Sequence, residues 1–397
     1  MFYAHSENKV GKWHDLRNHL IATAEGAQSL APSEDLRALF YLAGMLHDVG
    51  KFQAGFQKYL ECGQPRTPHA GIGAFIARTL AKQHTALQFA IQGHHAGMPN
   101  NQDRKSNNDF HAEQQQSVSE LIRQFEKSVP ESSTLDIPSQ PFAQKDPLLA
   151  ECATRFLFSA LTDADWLDTE RHFSLEKSDM RTSRPLSYDV FIEALEKEFE
   201  KLPTRGDINS LRTKARNEVA ARFAAPTGFF SLQLPTGLGK TLTSMYWALL
   251  HARYNKLKRI IIVLPYINII DQTALILKNV FGEDNVLEHH SGTIEDDKEY
   301  AKEMFDKTPE TSKRLACENW DAPIIVTTSV QFFESLFSNR PFKCRKNHSI
   351  ADSVVIFDEI QTLPKEYAEP TIVMLKNIAA LTKGSFYSIV ATRHLAE

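Results

Sequence analysis

Histidine side chains are concentrated in the first part of the chain, around the dipeptide His47-Asp48. Nine of the fifteen histidines precede residue 112. An adjacent imidazole and carboxylate can bind one metal ion and bridge to a second. Mixed imidazole and carboxylate ligands suit Mn²⁺, Fe²⁺, Co²⁺ or Ni²⁺ better than Mg²⁺, and two such ions about 3.5 to 4 Å apart would clamp the reacting oxygens of a phosphodiester. Further side chains of these two kinds lie near helix-like segments, at His19, His69, His94, His95 and Asp165.

The residues alone leave two assignments open. Asp163 and Asp165 lie two positions apart in LTDADWLDTE, and either could supply the carboxylate. Isolated histidines usually have ordinary core or surface roles, and that is our interpretation of His5, His14, His84 and His111.

The second half of the chain carries a phosphate-binding sequence, LPTGLGKT. It has the form of a Walker A motif, with leucine in place of the first glycine. Gly237 and Gly239 would let backbone N–H groups turn towards phosphates at the start of the following helix. Lys240 would reach the β- and γ-phosphates, and Thr241 would bind Mg²⁺. The residues predicted to hold Mg-ATP in this loop are Pro235, Thr236, Gly237, Gly239, Lys240 and Thr241.

A second nucleotide motif is SVVIFDEIQ, an apolar strand that ends in two carboxylates. Asp358 would hold the Mg²⁺ shell, while Glu359 would orient or deprotonate the attacking water. The two motifs together predict an ATP-hydrolysing core.

Composition indicates an ordinary globular protein. The chain has 397 residues, 42% hydrophobic and 24% charged, which is enough for two domains. The net charge of −4 argues against a general polyanion-coating protein. Four cysteines in no C-x-x-C pair indicate reduced thiols, and the lack of an apolar run of about 18 residues predicts a cytoplasmic protein without a membrane span. Two short basic clusters are interpreted as solvated faces: Arg212/Lys214/Arg216 and Lys343/Arg345/Lys346.

Hydrophobic periodicity predicts a multidomain fold. The first half has a helical period throughout, whereas short β-branched runs alternate with helical patterns after about residue 206. That alternation predicts a mostly parallel sheet flanked by helices. We therefore predict an all-α metal-binding domain at 1–205 and an α/β RecA-like domain at 206–397.

Several stretches of the second half resemble a known family. Together with LPTGLGKT, the stretches IVLPYINIIDQT, ENWDAPIIVTTSVQFFESLF and RKNHSIADSVVIFDEIQTLP look like the first RecA-like domain of the CRISPR-associated helicase-nuclease of type I systems, a superfamily 2 helicase. The resemblance implies a single-stranded DNA path at Pro265, Thr327, Thr328 and Gln331. The two threonines could instead simply fill a β-strand.

The first half resembles the HD-domain phosphohydrolases, and its AHS and Trp13 elements are similar to the N-terminal nuclease of the same family. The resemblance places Lys51 next to the scissile phosphate, and the A-D-W alignment favours Asp165 over Asp163. The metal ligands it implies are His19, His47, Asp48, His69, His94, His95 and Asp165, and the catalytic residues are Asp48, Lys51 and Glu359.

The resemblance implies a metal-dependent endonuclease that acts on single-stranded DNA. In the family this activity is coupled to ATP-driven translocation and serves antiviral defence with a CRISPR surveillance (Cascade) complex. The alternative is an HD phosphohydrolase of small nucleotides whose RecA-like half is a regulatory ATP-binding module.

The last residues, VATRHLAE, depart from the family motif T-A-T-Q-P at Arg393 and His394. The family's second RecA-like domain, which supplies an arginine finger, would follow this motif. Its absence from the sequence predicts weak ATP binding, negligible DNA-stimulated hydrolysis and no unwinding, with nuclease activity retained.

Overall fold

The computed structural model describes the chain except for residues 64, 139–145, 204, 236, 291–311 and 393–397, and the side chains of 312–314 and 388–392 are also left out. Thr236 and the tail residues Arg393 and His394 therefore lie outside the described residues. The chain forms two compact units. The first comprises Met1–Met180 and Ser335–His348, and the second comprises Arg181–Glu334 and Ser349–Glu397. The domain boundary at 205/206 stays a prediction.

The first unit is helical, as predicted, with one small addition. Two short strands, β1 (Tyr3–His5) and β2 (His14–Asp15), form an antiparallel pair. The main helices of residues 1–180 are α1 Leu16–Ser29, α2 Arg37–Leu46, α3 Ala54–Cys62, α4 Ala70–Leu80, α5 Thr85–Gly93, α6 Asn101–Ala112, α7 Gln115–Ser128, α8 Pro147–Phe173 and α9 Leu175–Asp179.

Helix α8 is the long central helix of this unit. It begins with a proline at its first position, and the Asp146 side chain accepts hydrogen bonds from the N–H groups of Leu148 and Leu149. Both features favour a helix start. Helices α1, α2 and α5 pack on α8. Gly44 allows α1 and α2 to approach closely, because a Cβ there would lie 2.3 Å from the Ala24 Cα atom.

A segment from the second half of the sequence completes the first unit. It contains the end of α15 (Ser329–Phe337) and the short α16 (Pro341–Cys344). The Arg155 guanidinium donates hydrogen bonds to the carbonyls of Leu336 and Ser338. The N–H of Met98 donates to the carbonyl of Asn339 at 2.8 Å. Residues 335–348 are thus a structural part of the helical unit.

The second unit contains a six-stranded, fully parallel sheet, as predicted, with strand order β3-β8-β7-β4-β6-β5. The strands are β3 Phe229–Pro235, β4 Arg259–Leu264, β5 Val286–His289, β6 Ile324–Thr328, β7 Ser353–Asp358 and β8 Ser385–Thr392. Strand β5 was not predicted. Its sequence VLEH is short and contains two polar residues, so it lacks the continuous apolar run of a central strand.

Helices pack on this sheet around an apolar core that includes Trp247, Ile262 and Ile356. The remaining helices are α10 Tyr188–Glu200, α11 Asp207–Ala220, α12 Lys240–Asn255, α13 Ile267–Phe281, α14 Ser312–Asn319 and α17 Lys365–Leu381. All four cysteines are free thiols. Within the described ranges, no helix has both the length and the apolar character needed to cross a membrane.

Candidate metal centre and nucleotide site

The candidate metal ligands lie at helix ends and on two long helices of the first unit. His19 is on α1 and Asp165 is on α8, whereas His47 and Asp48 follow α2 directly. The other three are at His69, just before α4, and at His94 and His95, just after α5.

One glycine permits this assembly. A Cβ at Gly50 would lie 2.2 Å from the His69 carbonyl oxygen. Only a glycine therefore lets the turn after Asp48 approach the backbone of His69 so closely.

Four of these residues form a first, fully buried group: His19, His47, Asp48 and Asp165. The Asp48 Oδ2 atom lies 3.2 Å from His19 Nε2 and 3.3 Å from His47 Nε2. The Asp165 Oδ1 atom lies 3.4 Å from His19 Nε2 and 3.7 Å from His47 Nε2. Two imidazole nitrogens and two carboxylate oxygens therefore face one point.

A second group shares Asp48 and adds His69, His94 and His95. The other oxygen of Asp48, Oδ1, lies 3.2 Å from His69 Nε2 and 3.5 Å from His94 Nε2. His95 Nε2 lies 2.9 Å from His69 Nε2. Since the two oxygens of one carboxylate face two different groups, Asp48 has the geometry of a bridging ligand.

The unsatisfied atoms of the site fit a pair of cations. Apart from ion pairs, neither Asp48 oxygen nor His94 Nε2 has a hydrogen-bond partner among the described residues, and all three atoms are buried. The Nδ1 atoms of His47 and His94 lie 2.7 and 2.6 Å from the carbonyls of Gly44 and Ile91. A carbonyl only accepts, so Nδ1 carries a proton and Nε2 is the nitrogen left to bind a metal.

Charges within the site keep its carboxylates ionised. Burial would raise the pKa of Asp48, but the Lys51 ammonium and the His47 and His69 imidazoles hold that pKa well below its usual range. Burial also opposes ionisation of Asp165, whose pKa is nevertheless held well below its usual range by His19 and His47. Both side chains are therefore carboxylates at neutral pH, as metal ligands must be.

The imidazoles divide into two kinds. Burial would lower the pKa of His19, but hydrogen bonds to carboxylates, with that of Asp165 the strongest, raise it to about 10. For His47, burial also lowers the pKa, whereas Asp48 and Asp165 raise it to about 9. Burial lowers the pKa of His69, so this ring is neutral at pH 7. Cations entering the first group would displace protons.

Lys51 lies beside the shared carboxylate of Asp48. Its Nζ atom is 2.6 Å from Asp48 Oδ2 and 3.5 Å from His5 Nε2, and the residue is 2% exposed. A buried ammonium beside the bridging carboxylate is suitably placed to contact an anionic substrate.

Sequence reasoning missed three residues that adjoin this group. His5 and His14, which the sequence alone suggests are ordinary core or surface residues, lie beside this group: their Nδ1 atoms are 3.0 Å apart and both rings contact His19. Asp168, on α8, accepts a hydrogen bond from His19 Nδ1 at 2.6 Å. Burial would raise the pKa of Asp168, but hydrogen bonds from His14 and His19 lower it to about 2. Its position one helical turn after Asp165 was the available signal.

Asp163 has a different environment from Asp165. Its Oδ1 atom lies 2.6 Å from Arg345 Nε, and both residues are buried. The interpretation of the cluster around Arg345 as a solvated face is wrong, since Arg345 is 2% exposed and Lys346 is 5% exposed. The geometry thus puts Asp165, rather than Asp163, in the candidate metal group.

The second unit brings the two nucleotide motifs together. Gly237 and Gly239 have φ values of 87° and 74°, which favour glycine, and Lys240 begins α12. The Lys240 Nζ atom lies 3.2 Å from Glu359 Oε1. Asp358 Oδ1 is buried without a hydrogen-bond partner in the described part of the chain, which fits a role in a Mg²⁺ shell.

The loop and its surroundings add two details. Pro235 ends β3, and Thr241 lies half-buried in the first turn of α12. The Nε atom of Arg212, on α11, donates a hydrogen bond to the Gly237 carbonyl at 2.8 Å. Arg212 is therefore not simply a solvated charge, because it supports the phosphate-binding loop.

Replacing Lys240 by alanine is expected to weaken Mg-ATP binding about 10- to 100-fold, since charge-assisted hydrogen bonds contribute about 1.5 to 3 kcal/mol. Titration with a fluorescent ATP analogue would measure this. Lys258→Ala is the control, because Lys258 forms a surface ion pair with Asp352. An unchanged affinity for Lys240→Ala would mean that the nucleotide binds elsewhere.

The residues proposed for the DNA path differ in exposure. Pro265 and Gln331 are half-buried. Thr327 is fully buried, and its hydroxyl donates to the His289 carbonyl at 2.8 Å. The Thr328 hydroxyl accepts from the N–H of Gln331. In this conformation the Thr327 side chain fills the sheet, as the alternative interpretation expects.

Comparisons with known proteins agree with both units. The family model "Cas3, HD domain" matches residues 4–173, and "Type III restriction enzyme, res subunit" matches residues 205–396. A curated relative, the CRISPR-associated nuclease/helicase Cas3 of Haloferax volcanii, is 26% identical over 84% of this chain and 43% of its own length.

Solved structures show the same fold. The ATP complex of T. fusca Cas3 matches 99% of this chain and 50% of its own, with 17% identity and a TM-score of 0.64. A chain from the structure described as "CRISPR RNA-guided surveillance complex, pre-nicking" matches 99% of this chain and 47% of its own, with 18% identity and a TM-score of 0.57. The present chain thus spans about half the length of these relatives. The HD-domain match, the helicase-family match and the curated relative together support similarity to proteins of the Cas3 type.

Proposed function

We propose that the first unit is a metal-dependent endonuclease that cuts single-stranded DNA. The observation that carries this proposal is the placement of Asp48, whose two oxygens face two separate groups of histidine and carboxylate ligands. When bound, a pair of Mn²⁺, Fe²⁺, Co²⁺ or Ni²⁺ ions would supply Lewis acidity and an activated water at neutral pH. The ligands would be His19, His47, Asp48, His69, His94, His95 and Asp165.

The chain's own side chains have distinct tasks in this proposal. Asp48 fixes the separation of the two ligand groups. Lys51, buried beside Asp48, would bind a non-bridging oxygen of the scissile phosphate and offset its negative charge. His69 lies at the more open side of the site, with 14% of its side chain exposed, whereas the first group is buried. The DNA phosphate would therefore enter beside the second group.

We further propose that the second unit binds Mg-ATP. Lys240 would contact the β- and γ-phosphates, Thr241 and Asp358 would hold Mg²⁺, and Glu359 would orient the attacking water. Lys240 and Glu359 form an ion pair in this structure. This pair must separate when ATP binds, because the Lys240 ammonium then contacts the phosphates and Glu359 contacts the water. In the full-length family, ATP turnover would drive movement along DNA, and in this chain the DNA would pass Pro265, Thr328 and Gln331.

The proposed partners are single-stranded DNA and a CRISPR surveillance (Cascade) complex. Support comes from the similar chain in the pre-nicking surveillance complex and from the curated nuclease/helicase relative. Contacts to a DNA backbone carry no sequence information, so the target sequence would be chosen by the surveillance complex.

Incubation with closed circular single-stranded DNA tests the nuclease proposal. This substrate has no ends and contains no free mononucleotide. We expect conversion to linear DNA with Mn²⁺, Co²⁺ or Ni²⁺, no cleavage with EDTA, and no requirement for ATP, since every proposed metal ligand precedes residue 166. Intact circles together with hydrolysis of small nucleotides would favour the alternative function, a small-nucleotide phosphohydrolase.

A further inference from the structure

We infer that Asp168 is a positioning residue for the metal centre: it holds the His19 ring so that Nε2 faces the cation, and His14 holds Asp168 in place. The inference rests on the proposed metal-dependent function. It adds two side chains outside the seven proposed ligands.

The first argument is the direction of the two nitrogens of His19. Nδ1 lies 2.6 Å from Asp168 Oδ2, whereas Nε2 lies 3.2 Å from Asp48 Oδ2 and 3.4 Å from Asp165 Oδ1. The two nitrogens of an imidazole point away from each other. Asp168 therefore lies behind the ring and cannot share a cation with Asp48 through Nε2.

A carboxylate behind a ligating imidazole has a specific chemical effect. It accepts the Nδ1 proton, which leaves the Nε2 lone pair directed at the metal, and its charge makes that nitrogen more basic. His47 and His94 have backbone carbonyls in the same position, those of Gly44 and Ile91. The Nδ1 atom of His19 thus bonds a charged carboxylate, whereas the Nδ1 atoms of His47 and His94 bond neutral carbonyl groups.

Helix α8 fixes Asp168 relative to the ligand set. Asp165 and Asp168 are three residues apart, so both project from one face of the same helix. One rigid helix therefore fixes the positions of both Asp165, a proposed ligand, and Asp168, the hydrogen-bond partner of the ligand His19.

His14 also restrains Asp168. Its Nε2 atom lies 3.2 Å from the same Oδ2 atom that bonds His19. The His14 ring stacks on His172, with ring centroids 4.5 Å apart and planes at 7°. The side chains of His14 and Asp168 are each only 13% exposed, so the contact is built into the unit rather than formed by mobile surface groups.

Metal binding by the full chain provides the test, because it does not depend on activity. Mn²⁺ binding would be measured by equilibrium dialysis and metal analysis for the parent, Asp168→Ala and Asp168→Asn. We expect two ions in the parent and, in Asp168→Ala, an affinity for one ion that falls about 10- to 100-fold, the usual effect of an outer partner. Asp168→Asn should lose less, because its amide oxygen still accepts the Nδ1 proton.

Two further variants sharpen the result. Glu170→Gln removes a carboxylate from the same helix, where Glu170 pairs with Lys177, and should bind both ions as the parent does. His14→Phe keeps a ring to stack on His172 but loses the contact to Asp168, so it should weaken the same ion as Asp168→Ala, by a smaller factor.

The possible outcomes separate the inference from the function on which it rests. If Asp168→Ala binds both ions as tightly as the parent, the positioning role is excluded. If the isosteric Asp168→Asn loses an ion as completely as Asp165→Asn, then Asp168 is itself a ligand and the inference is wrong. A parent protein that binds no Mn²⁺ would overturn the proposed metal centre instead.

Discussion

The Asp48→Asn protein is expected to cut circular single-stranded DNA more than 100-fold more slowly than the parent. Loss of an outer partner of a metal ligand typically costs about 10- to 100-fold, and Asp48 faces both ligand groups directly. Asparagine preserves the shape of the side chain but removes its charge and one ligand oxygen. Both ions should therefore be lost or displaced, and raising the Mn²⁺ concentration should not restore the rate.

The rate of conversion of circles to linear DNA measures this effect. Asp109→Asn is a matched control, since Asp109 is exposed on α6 and lies outside the ligand groups. Metal content should be determined on the same samples. An Asp48→Asn protein that cuts within a factor of two of the parent would rule out the bridging assignment and, with it, the proposed catalytic centre.

The proposed metal ligands could be predicted from the sequence because residue type and local context are enough to indicate them. His47 and Asp48 are adjacent, and His94 and His95 are adjacent, so residue type and helical context already indicated ligands. The choice between Asp163 and Asp165 could not be made from residue type. It depends on the direction in which each side chain points from α8. Asp163 points towards Arg345, a residue 182 positions further along the chain, and pairs with it.

The residues that support the proposed ligands are harder to predict from the sequence, because their contacts depend on packing between distant segments. His14 lies on strand β2, which has only two residues. Such a short strand is too short to show the alternation of apolar and polar residues by which strands are predicted. Asp168 gains its role from the position of α1 beside α8, which only the tertiary fold defines. Strand β5 was missed for a related reason, since pairing with β6 rather than an apolar run makes it a strand.

The segment 335–348 shows what local sequence patterns leave out. It follows strand β6 of the parallel sheet in the sequence, but it packs within the helical unit. Hydrophobic periodicity predicts that the segment forms a helix, but it does not predict which part of the protein that helix packs against. The basic residues at its end looked solvated for the same reason, although Arg345 lies over the Trp166 ring at 5.2 Å from its centroid.

Replacing Arg345 by methionine is therefore expected to destabilise the protein by about 3 kcal/mol. Removing one partner of a buried ion pair typically costs about 3 to 5 kcal/mol, because the other charge stays in a low-dielectric environment. Asp163 is 2% exposed, and its Oδ1 atom is 2.6 Å from Arg345 Nε. The lower end of the range applies, since His348 Nε2, 3.6 Å from Asp163 Oδ2, remains as a polar neighbour of the carboxylate.

A double-mutant cycle distinguishes the ion pair from simple loss of packing. Urea unfolding would be compared for the parent, Arg345→Met, Asp163→Asn and the double variant, with Lys343→Met as a control for a half-buried charge in the same segment. The double variant should be more stable than Arg345→Met alone, because no buried carboxylate then remains without its cation. Hydrogen exchange should show the weakening at α8 and at 335–348. If Arg345→Met and the control lose equally little stability, the ion pair does not hold this segment on the helical unit, and apolar packing beneath Leu336 and Cys344 must do so.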